Sequence, residues 1–200
     1  MEPERLRLVC VTPGSGDVAA LERLADAALD GGATAVWMRE RDLEDADLER
    51  LARRVRARGG VAIVSGRAVP GAHAVHLGFR DDPPPAWRAR VGPELAIGYS
   101  AHDPLDPAAV EASDYVTLSP LFPTPKASAA PEPCGVERFA ALARTIGRPV
   151  VALGGIDASN AALAIDAGAV GVAVLRAIAA ADDPRAAAAA LRRAVDEALR

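Results

Sequence analysis

The chain has 200 residues, 50% hydrophobic and 25% charged, with 23 Lys and Arg against 27 Asp and Glu, a formal net charge of -4 and an isoelectric point near 5.4. That composition fits a globular chain organised as a single domain over 1–200, and its acidic balance argues against a nucleic-acid surface. No apolar run reaches the roughly 18 residues of a membrane span, MEPERLRLVC lacks a signal-peptide apolar segment, and Cys10 and Cys134 make neither a disulfide framework nor a zinc set, so a cytoplasmic protein is expected.

Along the chain, apolar and β-branched runs alternate with helical patterns. A strand near 5–12 is followed by the turn TPGSGD and a helix near 17–30, then by a strand near 34–40 and a helix near 44–58. The last of these, within LEDADLERLARRVRAR, carries its charges as mixed acids and bases on a solvated face. Strands near 61–65 and 74–78 come next, and the link from VAIVSGR to AVHLG is too short for a full helix. Then follow a helix near 84–91, a strand near 95–100, a helix near 104–112, a strand near 115–120 and a helix near 136–147. The chain closes with a strand near 149–155, a helix near 158–167, a strand near 171–176 and a helix near 181–199, whose Leu191, Val195 and Leu199 recur one turn apart.

Continuous apolar strands alternating with helices imply parallel pairing through right-handed crossovers. Eight such units predict an α/β chain closed as a (β/α)8 barrel. The rival is a doubly wound open sheet, but TPGSGD lacks the third glycine and the later acidic residue of a dinucleotide fingerprint. The glycine-rich turns come late instead, where barrels of this kind often hold a phosphate. Gly154 and Gly155 end the seventh strand, where missing side chains let backbone N–H groups approach an anion, and DASN is expected to open the next helix with its positive end aimed the same way. The alternative is that Gly-Gly serves only a tight turn.

Three ordered stretches, GGATAVWMRERDL, HAVHLGFRDDPP with IGYSAHDP, and DYVTLSPLFPTPK with VVALGGIDASNAALAIDAGAVGVAVLRAI, resemble the thiamine phosphate synthases and their relatives the thiazole tautomerases. The resemblance implies a transferase of thiamine biosynthesis, using Mg2+ and small phosphorylated substrates. It would join an aminopyrimidine methyl diphosphate to a thiazole phosphate and release pyrophosphate. Arg39 and Arg41 match the residues that hold the diphosphate, with a surface salt bridge to Glu40 or Asp42 as their alternative. Asp81 matches the metal carboxylate, with Asp82 one register away. Ser100 and His102 match a Ser and His of the fifth strand, the hydroxyl suiting a phosphate oxygen; His102 read by itself is equally a helix-entry residue. His76 is either a ligand contact or a satisfied core imidazole. Phe122, Thr124 and Lys126 match a long sixth loop over the substrates, and Gly135 a glycine near the thiazole or simply the start of a helix. Leu175 and Arg176 stand where backbone N–H groups meet the thiazole phosphate, with the Arg176 guanidinium either gripping the same anion or turned away.

The departures bear on activity. Where the family has Asn-Asp-Arg, this chain has Ser65, Gly66 and Arg67, so one metal carboxylate is missing while Arg67 keeps its place toward the substrate. Two polar family positions are Trp37 and Phe79, which makes the expected pocket more hydrophobic, and FPTPK is one residue shorter than its counterpart. Pro120 replaces the histidine of the tautomerases. A tautomerase and a non-catalytic paralogue that binds thiazole phosphate or thiamine phosphate are the alternative functions. The sequence leaves the order of any homo-oligomer open.

Overall fold

The computed structural model describes residues 1–102, 104–124 and 132–200. Eight strands, β1 (Leu8–Val11), β2 (Ala35–Met38), β3 (Val61–Ser65), β4 (Ala74–Leu77), β5 (Ala96–Ala101), β6 (Tyr115–Leu118), β7 (Val150–Leu153) and β8 (Gly171–Val174), pair in sequence order and close into a barrel. Every pairing is parallel, including the one between β8 and β1. Both faces of these strands are covered, which is why they read as unbroken apolar runs.

Around the barrel lie α1 (Val18–Asp30), α2 (Asp45–Ala57), α3 (Pro84–Val91), α4 (Pro107–Glu111), α5 (Gly135–Thr145), α6 (Ala161–Asp166), α7 (Arg176–Ala179) and α8 (Pro184–Ala198). Their boundaries follow from local chemistry. The Asp17 carboxylate accepts from the Ala20 amide to cap α1, Asp106 caps α4 through Ala108 and Ala109, and Asp183 caps α8 through Ala186. The buried stripes Leu21, Ala25, Ala28 on α1 and Ala188, Leu191, Val195 on α8 keep the helical spacing. Leu199 falls past the end of α8 and is exposed, so the expected stripe stops one turn earlier. No described helix is long and apolar enough to cross a membrane.

Side chains fill the barrel interior: Val9, Val11, Ala35, Trp37, Val61, Ile63, Ala74, Tyr115, Val151 and Ala173 form one buried cluster, with Leu6 from a 3-10 turn at Pro3–Leu6 at its lower end. The opposite strand faces carry Leu8, Cys10, Val116, Leu118, Val150 and Val172 toward the helices. Burial pushes the Cys10 thiol up to about 12, so it packs as an apolar group. Two glycines allow close approach. A Cβ on Gly171 would lie 2.0 Å from the Leu6 carbonyl oxygen, and one on Gly98 would lie 2.2 Å from the Tyr115 ring.

Two boundaries differ from expectation. β8 stops at Val174, and Arg176 opens the four-residue α7 rather than ending a strand. The helix after the glycine pair starts at Ala161, because Asp157, Ser159 and Asn160 use their side chains in a turn first: Asp157 accepts from the Ser159 amide and hydroxyl, and Asn160 Oδ1 accepts from the Asp157 amide.

Candidate active site at the C-terminal mouth

The C-terminal ends of the strands open onto a cavity of about 1020 Å³. One wall begins at the end of β2. There Arg39 and Arg41 project into the cavity, two residues apart and so on one side of the chain. Their backbone is fixed by groups the sequence reading did not single out. The Arg39 amide donates to Thr12 Oγ1 at 2.9 Å, and the buried Glu40 carboxylate accepts from the Gly14 amide at 2.8 Å and the Gly16 amide at 3.0 Å. The TPGSGD turn is therefore a nest for an internal anion, its glycines at φ +78° and +70° turning both N–H groups inward. Glu40 is 3% exposed, so it makes no surface salt bridge with its neighbours. Its place within a run of four charged residues hides that role in the sequence.

Arg67 does not line the cavity. Its guanidinium turns back to donate to the carbonyls of Leu43 at 2.7 Å and Glu40 at 2.8 Å and pairs with Asp45 at 3.0 Å, so it braces the loop that carries Arg41. The change from expectation is a matter of direction: the side chain leaves β3 toward its neighbour loop.

Asp81 reaches the cavity, whereas Asp82 pairs with Arg90 outside it. Asp81 Oδ2 accepts from the Gly78 amide at 2.8 Å, and Oδ1 lies 3.8 Å from the Arg41 guanidinium. Among the described residues no three His, Cys, Asp or Glu side chains come together in a way that would hold a metal ion. Asp81 is the carboxylate placed where the resemblance puts a metal ligand, and a magnesium ion held by it would take its remaining ligands from substrate phosphate and water.

The floor is aromatic and polar at once. Trp37 lies 3.9 Å, centroid to centroid, from the His76 ring, and its indole N–H donates to Ser65 Oγ at 2.8 Å. His76 is 2% exposed and makes contacts of 3.1 Å from Nδ1 to the Tyr115 hydroxyl and 3.0 Å from Nε2 to Ser100 Oγ. Burial lowers the imidazole to about 3, so it is neutral, and burial raises the Tyr115 phenol, which keeps its proton. His76 is thus a satisfied core imidazole that still borders the cavity. His73, by contrast, accepts from the Ala62 amide through Nδ1 and lies away from the cavity. His102, just past β5, is exposed at the mouth; the cap of α4 is Asp106, so His102 is not its entry residue. Phe79 stands on the rim, 84% exposed, with the Arg80 guanidinium 5.3 Å from its ring centroid.

The other wall is built from the turns after β7 and β8. Gly154 and Gly155 have φ of +101° and +67°, and Cβ atoms there would lie 2.7 Å from Pro120 and 2.6 Å from the Pro123 carbonyl oxygen. The glycines therefore serve close approach: the Leu121 amide donates to the Leu153 carbonyl and the Phe122 amide to that of Gly154. This explains the pair without excluding an anion, because neither the Gly154 nor the Gly155 amide donates to another described residue. Leu175 and Arg176, with the first turn of α7, face the same space. Asp157 also borders it, its carboxyl held below the usual range by the Ser159 hydroxyl and then by the Ser159 amide. Thr124 lines the mouth, while Phe122 packs against the helix-facing core and Gly135 begins α5, both outside the cavity. Lys126 lies outside the described residues.

The resulting arrangement faces guanidinium charge on one wall toward backbone turns on the other, over a floor of rings and hydroxyls. A sequence profile for the family described as thiamine monophosphate synthase matches residues 8–178. The thiamine-phosphate synthase of Roseiflexus sp. is 37% identical over 190 residues, covering 90% of this chain and 80% of that one. That of Moorella thermoacetica is 38% identical over 204 residues, 96% of each chain. Among solved structures, the thiamine phosphate pyrophosphorylase from Pyrococcus furiosus superposes with a TM-score of 0.85 at 28% identity over 99% of both chains.

Proposed function

The chain belongs to the thiamine monophosphate synthase family, and from that premise we propose how its cavity carries out the transfer. The protein is a thiamine-phosphate synthase-type transferase. Its substrates in this reading are an aminopyrimidine methyl diphosphate and a thiazole phosphate. The bond between the pyrimidine methylene carbon and the diphosphate oxygen breaks, and its electron pair leaves with pyrophosphate. The thiazole nitrogen then supplies the pair for the new carbon–nitrogen bond.

Leaving-group charge is the largest electrostatic demand of such a step, and the Arg39 and Arg41 guanidiniums meet it from a stretch of backbone anchored through Thr12 and Glu40. Asp81 would hold a magnesium ion together with substrate phosphate and water, and the ion would supply further positive charge against the leaving diphosphate. On the far wall the Gly154, Gly155, Leu175 and Arg176 backbone receives the thiazole phosphate. Orientation of two rings over one floor supplies the remaining advantage.

The observation that carries this reading is that two arginines line one cavity together with two glycines whose amides donate to no other described residue. The test is to incubate the purified protein with both substrates and measure pyrophosphate and thiamine phosphate. Stoichiometric formation of both is expected. Isomerisation of the thiazole without the pyrimidine would replace the transferase by a tautomerase, and tight thiazole phosphate binding with no turnover would replace it by a binding paralogue.

A further inference from the structure

Gly66 follows β3 directly, with β2 on one side of that strand and β4 on the other. Its φ is +63°, and its amide donates to the His76 carbonyl at 3.0 Å, which fixes it beside the turn that follows β4. That turn is closed twice. The Asp81 amide donates to the Gly78 carbonyl at 3.0 Å, and Asp81 Oδ2 accepts from the Gly78 amide at 2.8 Å. The other oxygen, Oδ1, reaches across the end of β3 until it lies 3.8 Å from the Arg41 guanidinium, beyond β2. It crosses bare backbone. A Cβ on Gly66 would lie 2.6 Å from Oδ1 and 3.2 Å from the carboxyl carbon of Asp81, both inside the roughly 3.5 Å of a van der Waals contact. The carboxylate therefore fills the volume that a side chain at residue 66 needs. Because the obstructing atoms end a side chain and are not backbone, an intruder displaces Asp81 and leaves the barrel standing.

We propose that Gly66 is the positioning residue of the ion site: its missing side chain seats the Asp81 carboxylate over the end of β3, and a second acid at residue 66 would weaken the hold on a divalent cation. This rests on the transferase reading above, in which the ion arrives with the diphosphate. Charge counting alone predicts the reverse, because another carboxylate beside a cation adds attraction. Geometry decides against it, since the added acid evicts the one that the Gly78 amide orients. A glycine kept only for its positive φ predicts differently again. Asparagine tolerates that backbone, so it would leave such a site intact.

The experiment measures calorimetric binding of inorganic pyrophosphate with Mn2+ as the probe ion and again with the metal chelated, and follows bound Mn2+ by water-proton relaxation. The wild-type protein is expected to gain about tenfold or more in pyrophosphate affinity from the metal. Gly66→Asn and Gly66→Asp are both expected to bind Mn2+ pyrophosphate about tenfold more weakly than wild type, as Asp81→Asn does, while metal-free pyrophosphate binds within about twofold. Asp81→Glu leaves residue 66 untouched and keeps the charge, but its extra methylene overreaches the seat, so it is expected to lose the gain as well. A Gly66→Asp protein that holds Mn2+ pyrophosphate as tightly as wild type or tighter overturns the proposal. So does an undiminished gain in Gly66→Asn or Asp81→Glu, or no gain in wild type. Release of pyrophosphate from the two substrates, measured on the same samples, separates the readings. A metal gain that depends on residue 66 without release removes the transferase and leaves the seat; release with a gain indifferent to residue 66 does the opposite.

Discussion

At the scale of single residues, Glu40 decides whether the arginine wall is in place. A buried carboxylate accepting two amides is a charge-assisted contact, and deleting it leaves two N–H donors unpaired. Glu40→Ala is expected to lower unfolding free energy by about 2–3 kcal/mol in urea titrations and to raise KM for the diphosphate substrate, and acetate in the buffer should partly restore stability by entering the emptied nest. Asp81→Asn tests the metal question. A fall in kcat/KM of about tenfold or more with a weakened magnesium response is expected from a carboxylate that helps hold the ion, and unchanged activity with unaltered magnesium dependence would leave Asp81 only its turn-closing contact with Gly78. His76 and His73 give a pH signature, both lowered chiefly by burial. Their unfolded forms take up protons below about 6.5, while folded His76 stays neutral down to about 3. Stability present above pH 6.5 is therefore lost as pH falls through that window, by up to about 1.4 kcal/mol per unit for a single group. His76→Gln should flatten the slope of urea midpoint against pH; an unchanged slope would contradict the assignment.

At the scale of elements, the strands were legible because parallel strands covered on both sides leave unbroken apolar runs, and the longer helices because their stripes and Asp caps are local signals. α7 is not, since four residues give no period and the apolar run of β8 continues into it. The start of α6 is masked in the sequence because polar residues that often cap a helix instead close a turn before it. The site divides the same way. Arg39, Arg41 and Ser100 were legible only through the family resemblance and the glycine pair through its turn, whereas the partnership of His76 with Tyr115 joins residues 39 apart and leaves no local trace. Arg67 carried no sign that it bends back onto carbonyls. That pairing of β4 with β6 across β5 also explains Gly98. A methyl there meets the Tyr115 ring at 2.2 Å and His76 Nδ1 at 2.5 Å. Gly98→Ala is expected to destabilise by about 1–3 kcal/mol through overpacking and to displace Ser100, so both the melting temperature and pyrimidine affinity fall.

At the scale of the whole molecule, the barrel separates its tasks by end. The lower end is sealed by Leu6 beneath Gly171 and tied by Arg192 donating to the Gly32 carbonyl at 2.9 Å, while the chemistry-bearing groups gather at the mouth. Substitution at Gly171 is accordingly expected to change melting temperature with no change in the kinetics of the folded fraction. The two anion walls come from distant parts of the chain, one after β2 and the other after β7 and β8, and they meet only because β8 pairs with β1. Neither a nascent chain nor an opened one holds both. Each wall receives its own substrate, and either one binds only the closed ring that brings its wall to the shared cavity. By mass action, each substrate at a hundred times its Kd would favour that ring by about 2.7 kcal/mol, so the enzyme loaded with both should resist proteolysis and heat more than with either alone.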